Sequence, residues 1–119
     1  MKPAKILLAD DSSLMHKLFR AVLPGVPMVD ALDGWEALSR LGENPDVDLM
    51  VVDIDMPRMG GVELVQRLKA DGALSKIPVV VMTTTGKEHD AVTCLRAGAA
   101  AYVRKPFQAR EMLAVVERL

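Results

Sequence analysis

Four short apolar runs in this chain each lead into residues that carry chemistry. Lys5-Ile6-Leu7-Leu8-Ala9 leads into Asp10-Asp11, and Leu49-Met50-Val51-Val52 leads into Asp53. Val79-Val80-Val81-Met82 leads into Thr83, and Ala101-Tyr102-Val103 leads through Arg104 to Lys105. Short apolar runs bounded by turn-forming residues suit strands buried on both faces of a parallel sheet. Ligands of open α/β sheets bind outside the carboxyl ends of such strands. Carboxylates, a hydroxyl and an amine are therefore delivered to one edge of one sheet.

The segments between these runs carry helical spacing, so strand and helix alternate along the chain. Ser12 or Ser13 can cap a first helix whose apolar set is Leu14, Met15, Leu18, Phe19, Val22 and Leu23, ended by Pro24-Gly25. Met28-Val29 reads as a short second strand. Asp33-Gly34 opens a second helix through Trp35, Leu38 and Leu41, closed by Gly42 and Pro45. After Asp53 come the loop Met56 to Gly61 and a third helix facing inward through Val62, Leu64, Val65 and Leu68. Pro78 introduces the fourth strand; Val92, Leu95 and Ala99 mark a fourth helix with Gly98 as its C-cap. A last helix after Pro106 places Met112, Leu113, Val116 and Leu119 on one face. Alternating β and α units with short connections specify an α/β fold, a doubly wound parallel sheet with helices on both faces.

At 119 residues the chain is expected to form one domain with a real core. Aromatic residues are only 3%, so aliphatic side chains and methionines must fill that core. The balance of 15 basic against 16 acidic side chains argues against a broad nucleic-acid surface, which needs clustered positive charge. A single cysteine, Cys94, cannot form an internal disulfide, which suits a reducing compartment; it reads as a small, partly buried thiol. No apolar stretch reaches membrane-spanning length, and the run after Met1-Lys2 ends at Asp10, too soon for a secretory signal. A cytoplasmic location is expected, without membrane insertion.

Carboxylates brought together repel. Two unit charges about 4 Å apart do so by roughly 4 kcal/mol at an effective dielectric near 20. A proton, an ammonium group or a metal must relieve that. Lys105 supplies one positive charge, and a hard divalent cation suits the rest; Mg²⁺ typically takes one or two carboxylates plus water or phosphate. Carboxylate, cation, amine and hydroxyl together suit a site that receives a phosphoryl group, with an Asp as nucleophile. Each residue alone has an ordinary explanation. Asp10 can cap a helix, Asp53 can end a strand, Lys105 can belong to a turn, and Thr83-Thr84-Thr85 can be β-forming residues running into Gly86. Their joint placement at strand ends is what points to a site.

Taken in order, these residues resemble the response-regulator receiver domain of bacterial two-component signalling, much like a stand-alone chemotaxis-type regulator. The matching pieces are Ile6 to Ser12, Asp33 to Leu38, Asp48 to Pro57, Pro78 to Thr84 and Lys105-Pro106-Phe107. The resemblance implies one receiver domain over residues 1–119, five strands in the flavodoxin-like order 2-1-3-4-5, and a site where the first and third strands meet. It implies that Asp53 is the phosphoacceptor, that Asp11 ligates Mg²⁺ directly and that Asp10 does so partly through water. Asp53 and the backbone carbonyl of Asp55 would complete the metal ligands. Thr83 matches the hydroxyl that turns to meet a phosphoryl oxygen, Lys105 its ion-pair partner, and Tyr102 an aromatic switch that moves inward with Thr83. The Lys105-Pro106 bond is expected to be cis.

The resemblance further implies a switch rather than an enzyme acting on other substrates, with self-phosphorylation and self-dephosphorylation at Asp53. The donor would be a sensor histidine kinase or a phosphotransfer protein. An effector protein would dock on the fourth helix, fifth strand and fifth helix, and a phosphorylation-dependent dimer is compatible with this. Strand alternation puts Tyr102 and Arg104 on one face and Val103 and Lys105 on the other, so one short strand connects site and surface.

Some positions depart from the best-known family pattern. Asp55 adds a fourth carboxyl near the site and is expected to alter phosphoryl lifetime or metal affinity. Thr84 is bulkier than the frequent Ala or Gly, and Gly60-Gly61 is expected to loosen its loop. His16 and His89 are expected on solvated helix faces, and Trp35 in the second helix's apolar packing. Two rival classes deserve weighing. A haloacid-dehalogenase-type phosphatase would use Asp53-Ile54-Asp55 as its paired aspartates, but its second acidic pair follows the nucleophile, and 119 residues leave no cap or substrate pocket. A flavodoxin-like FMN binder would want a Gly- and hydroxyl-rich phosphate loop after the first strand and aromatics to sandwich the ring. Asp10-Asp11 repels phosphate, and aromatics are few.

Overall fold

Successive side chains on a strand point to opposite faces, so an unbroken aliphatic run must be covered on both. The computed structural model, which describes residues 1–119, shows that coverage. Parallel strands β1 (Ile6–Ala9), β2 (Met28–Ala31), β3 (Leu49–Asp53), β4 (Val79–Thr83) and β5 (Ala101–Arg104) form one five-stranded sheet in the order β2-β1-β3-β4-β5. Helices α1 (Ser13–Val22) and α5 (Ala109–Arg118) cover one face. Helices α2 (Gly34–Glu43), α3 (Gly61–Ala70) and α4 (Glu88–Ala97) cover the other.

The alternation sorts the core into two halves. Leu7, Ala9, Met50, Val52, Val79 and Val81 pack with Ala37, Leu41, Leu64, Leu68 and Cys94 of α2, α3 and α4. Their chain neighbours Ile6, Leu8, Leu49, Val51, Val80 and Met82 join Val103 and meet Phe19, Met112 and Val116 of α1 and α5. A one-residue slip of any central strand would exchange the two halves, so burial on both faces locks the register. That register is what aligns the polar strand ends. Ala9 lies beside Val52, Asp53 beside Met82 and Thr83 beside Arg104. Asp10, Asp53, Thr83 and Lys105 thus leave adjoining strands within two residues of a common level.

Several helix details differ from the sequence expectation. α2 does not close at Gly42 but runs to Glu43, where the Asn44 amide bonds the carbonyls of Arg40 and Leu41 and Pro45 forbids another turn. On α1 the inward residues are His16 and Phe19, whereas Leu14 and Leu18 are exposed. Trp35 is not packed inside α2's stripe. It is half exposed, with the Arg67 guanidinium 4.8 Å from the ring centre. Ser12 caps α1 and Gly98 ends α4 at a φ of 122°, both as the sequence implies. Cys94 is fully buried, and burial pushes its thiol up to about 11, so it behaves as an inert small apolar residue. No helix is long and apolar enough to cross a membrane.

Candidate functional site

β1 stops at Ala9 because the next residue commits its carbonyl and side chain to partners outside the sheet. The Asp10 amide still donates to the Ala31 carbonyl on β2, at 3.0 Å. Its side-chain Oδ1 accepts from the Ser12 amide at 2.8 Å, which shapes the turn into α1. Its Oδ2 accepts from Lys105 Nζ at 2.9 Å. Lys105 also stands 3.3 Å from Asp53 Oδ2, so one amine joins the ends of β1 and β3 from just beyond β5. The Lys105–Pro106 bond is cis, as the resemblance leads one to expect.

Asp53 is only 5% exposed. Burial, and then the nearby charge of Asp10, push its carboxyl up to about 6 against the pull of Lys105. Burial alone would lower Lys105, but its hydrogen bond to Asp10 and the charges of Asp53 and Asp10 outweigh it and hold the ammonium firmly charged. One carboxylate oxygen each from Asp10, Asp11 and Asp53 lies within 4.8 Å of the others. Against these three carboxylates stands the single amine of Lys105, so negative charge is in excess. Hard oxygen donors with excess charge fit a small divalent cation such as Mg²⁺.

The other expected residues lie on or just beyond the neighbouring strands. Thr83 is buried at the end of β4, and its Oγ1 donates to the Thr84 carbonyl at 3.3 Å, a long bond that is readily exchanged. Asp55 is exposed at the mouth, 3.6 Å from Lys87 Nζ. Tyr102 and Arg104 face outward from β5 while Val103 is buried, as alternation requires. Arg104 reaches Thr85 Oγ1 at 3.2 Å and lies 3.7 Å from Glu88, tying β5 to the start of α4. A concavity lined by Leu38, Arg67, Ala70, Asp71 and Leu74 shares no residue with the acidic crevice.

The loop after β3 is pinned rather than loosened, contrary to the expectation from Gly60-Gly61. A Cβ on Gly61 would lie 2.5 Å from the Asp53 carbonyl oxygen, so glycine is what lets the chain fold back onto β3. The Gly61 amide then bonds the Ile54 carbonyl at 2.9 Å. Arg58, at a φ of 63°, pairs through Nε and Nη2 with the buried carboxylate of Asp33, and the Gly34 amide takes the Met59 carbonyl. The Glu36 amide, together with Arg58, holds the Asp33 carboxyl below the usual range despite its burial. Sequence spacing could not pair residues 25 apart on two different loops.

His16 is the clearest reversal. It is buried, not solvated, with Nδ1 2.7 Å from Asp30 Oδ1 and Nε2 2.7 Å from the Asp10 carbonyl. Arg20, one turn on, reaches the other Asp30 oxygen at 2.6 Å. Burial would raise the Asp30 carboxyl, but the Arg20 and His16 hydrogen bonds outweigh it and lower it. Only the i, i+4 placement of His16 and Arg20 on α1 hinted that they share a face.

Comparison with known proteins agrees with this geometry. The family model described as the response regulator receiver domain matches residues 6–117. The chemotaxis protein CheY1 of Helicobacter pylori strain J99 is 36% identical over 106 residues, covering 87% of this chain and 86% of that protein. Among solved structures, the chemotaxis response regulator CheY4 of Vibrio cholerae superposes with a TM-score of 0.86 at 27% identity, covering 97% of both chains. The receiver domain of NtrX from Brucella abortus gives 0.86 at 29% identity, covering 95% of both.

Proposed function

The chain belongs to the response regulator receiver domain family, whose members are phosphorylation-dependent signalling switches, and we propose that the phosphoryl group is accepted here by Asp53. The observation that carries this reading is a buried Asp53 set beside Asp10, with the amine of Lys105 within reach of both. A carboxylate oxygen of Asp53 attacks the phosphorus of a phosphohistidine on a sensor kinase or phosphotransfer protein. The phosphorus–nitrogen bond breaks, and the imidazole leaves with the electron pair. With its carboxyl titrating near 6, Asp53 is mostly ionised at neutral pH, so no separate base is needed.

Lys105 then ion-pairs with the new phosphoryl oxygens, and Thr83 exchanges its long bond to Thr84 for a bond to one of them. Asp10, Asp11, Asp53 and the backbone carbonyl of Asp55 would hold Mg²⁺, which when bound neutralises charge on the transferring oxygens. Loss of the group to water returns Asp53 to its first state. Movement of Thr83 frees space toward Tyr102, and a change in Arg104's ties to Thr85 and Glu88 carries the state to the surface of α4, β5 and α5. A cytoplasmic effector protein docking there, or a second copy, would read it.

Incubation with phosphoramidate or acetyl phosphate plus Mg²⁺ tests the assignment. One phosphoryl group per chain, absent in Asp53→Asn, supports it; labelling that survives Asp53→Asn overturns it. Turnover of many substrates would favour the phosphatase instead, and a yellow protein the flavin binder.

A further inference from the structure

The network around His16 has a purpose that the phosphoryl reading leaves unused. A backbone carbonyl can only accept, so Nε2 of His16 donates its proton to the Asp10 oxygen at 2.7 Å. The peptide unit is planar, so holding that oxygen also orients the Asp11 amide and places the Asp11 Cα from which its side chain leaves. The other ring nitrogen is held at 2.7 Å by Asp30, which follows Val29 on β2 and is braced by Arg20. The Asp10 amide is tied to Ala31 on the same strand. Both polar groups of the Asp10 backbone are therefore referred to the end of β2, one directly and one through a buried ring.

We infer that His16 is a positioning residue for the acidic doublet: with Asp30 and Arg20 behind it, it fixes the peptide that joins Asp10 to Asp11. The inference rests on the reading of the crevice as a cation-assisted phosphoryl site. Side chains that orient ligand-bearing groups from behind typically change metal affinity 10- to 100-fold when removed. A ring that served packing alone would change melting temperature but leave cation affinity where it was.

Calorimetric titration with Mg²⁺ distinguishes the two, with thermal melting in EDTA as the check on folding. His16→Leu keeps apolar volume but has no donor, and its Mg²⁺ Kd is expected to weaken about tenfold. His16→Gln returns an amide donor near the position of Nε2, and its Kd is expected within about threefold of the parent protein. Asp30→Ala changes a half-exposed side chain, is held to the same folding check and is expected to weaken binding about threefold, so it decides the matter should His16→Leu not fold. An unchanged Kd in folded His16→Leu, or in Asp30→Ala, would overturn the inference. If the parent protein itself binds no Mg²⁺, the phosphoryl reading fails first and takes this inference with it.

Discussion

β3 starts just after Asp48 and ends on Asp53, and these two carboxylates live in opposite circumstances. Asp48 accepts from the Ala4 amide at 3.1 and 2.9 Å and from the Lys5 amide at 3.0 Å, while its own amide donates back to the Lys5 carbonyl. It is a staple between the N-terminal segment and the amino end of the sheet. Asp53, five residues on, has a like charge and a shared ammonium for neighbours, and its carboxyl is pushed up to about 6. The same residue type is thus settled at one end of a strand and strained at the other. What differs is whether dipoles were built to receive the charge before it arrived. A settled carboxylate holds structure, and a strained one is available for reaction with whatever brings positive charge or removes its own.

This contrast can be broken at its strongest point first. Replacing Lys105 with Met removes the ammonium shared by Asp10 and Asp53, and urea unfolding in EDTA at pH 7 should show a loss of about 3 kcal/mol. Adding Asp53→Asn to that variant should restore most of it. Asp53→Asn alone should stabilise the protein by about 2 kcal/mol at neutral pH in EDTA, the opposite sign to most core substitutions. The pH profile follows from the raised carboxyl. Between the ordinary Asp value of 3.8 and about 6 the folded state binds more protons than the unfolded one, so this group's contribution to stability falls as pH rises through that window. The gain from Asp53→Asn should therefore vanish toward pH 4, and a gain independent of pH would show that burial of Asp53 is not what strains it.

Asp48→Ala should act in the other direction, losing about 1–2 kcal/mol by leaving the Ala4 and Lys5 amides to water, with little change in phosphoryl labelling. The smallest effect on stability belongs to Asp55→Asn, within about 0.5 kcal/mol, because its partner Lys87 is as exposed as it is. Its phosphoryl lifetime or Mg²⁺ affinity should nonetheless differ from the parent's, as measured by decay of labelled protein and by calorimetry. Equality in both would place the Asp55 side chain outside the working crevice.

The sheet was legible because aliphatic runs leave few alternatives: Val79 to Met82 cannot face water on either side, and each run's first polar residue marks the edge. The polar strand ends could be listed for the same reason, but their contacts could not. That Lys105 touches Asp10 across 95 residues follows from register, which the resemblance to a known family supplied and periodicity did not. The errors have a common physical cause. Helical spacing on α1 admitted a face through Leu14 and Leu18 as readily as one through His16 and Phe19, and a polar ring at the inward position inverted the signal. Only β2, folded alongside, provides the Asp30 that makes a buried histidine tolerable. Trp35 erred the other way, since the space beneath α2 is already taken by Gly34, Ala37 and Leu41 against Met59 and its neighbours.

Asp10 and Asp11 look like twins in the sequence, yet the side chain of one is fully engaged and that of the other is free. Every polar group of Asp10, two on its backbone and two on its side chain, is committed to a partner within 3.0 Å. Asp11 is exposed and engages no side chain or amide of the protein. The pair therefore behaves like a vice with one fixed jaw. Adjustment to ions of different radius, or to a phosphoryl group of varying pose, must come from the loose jaw.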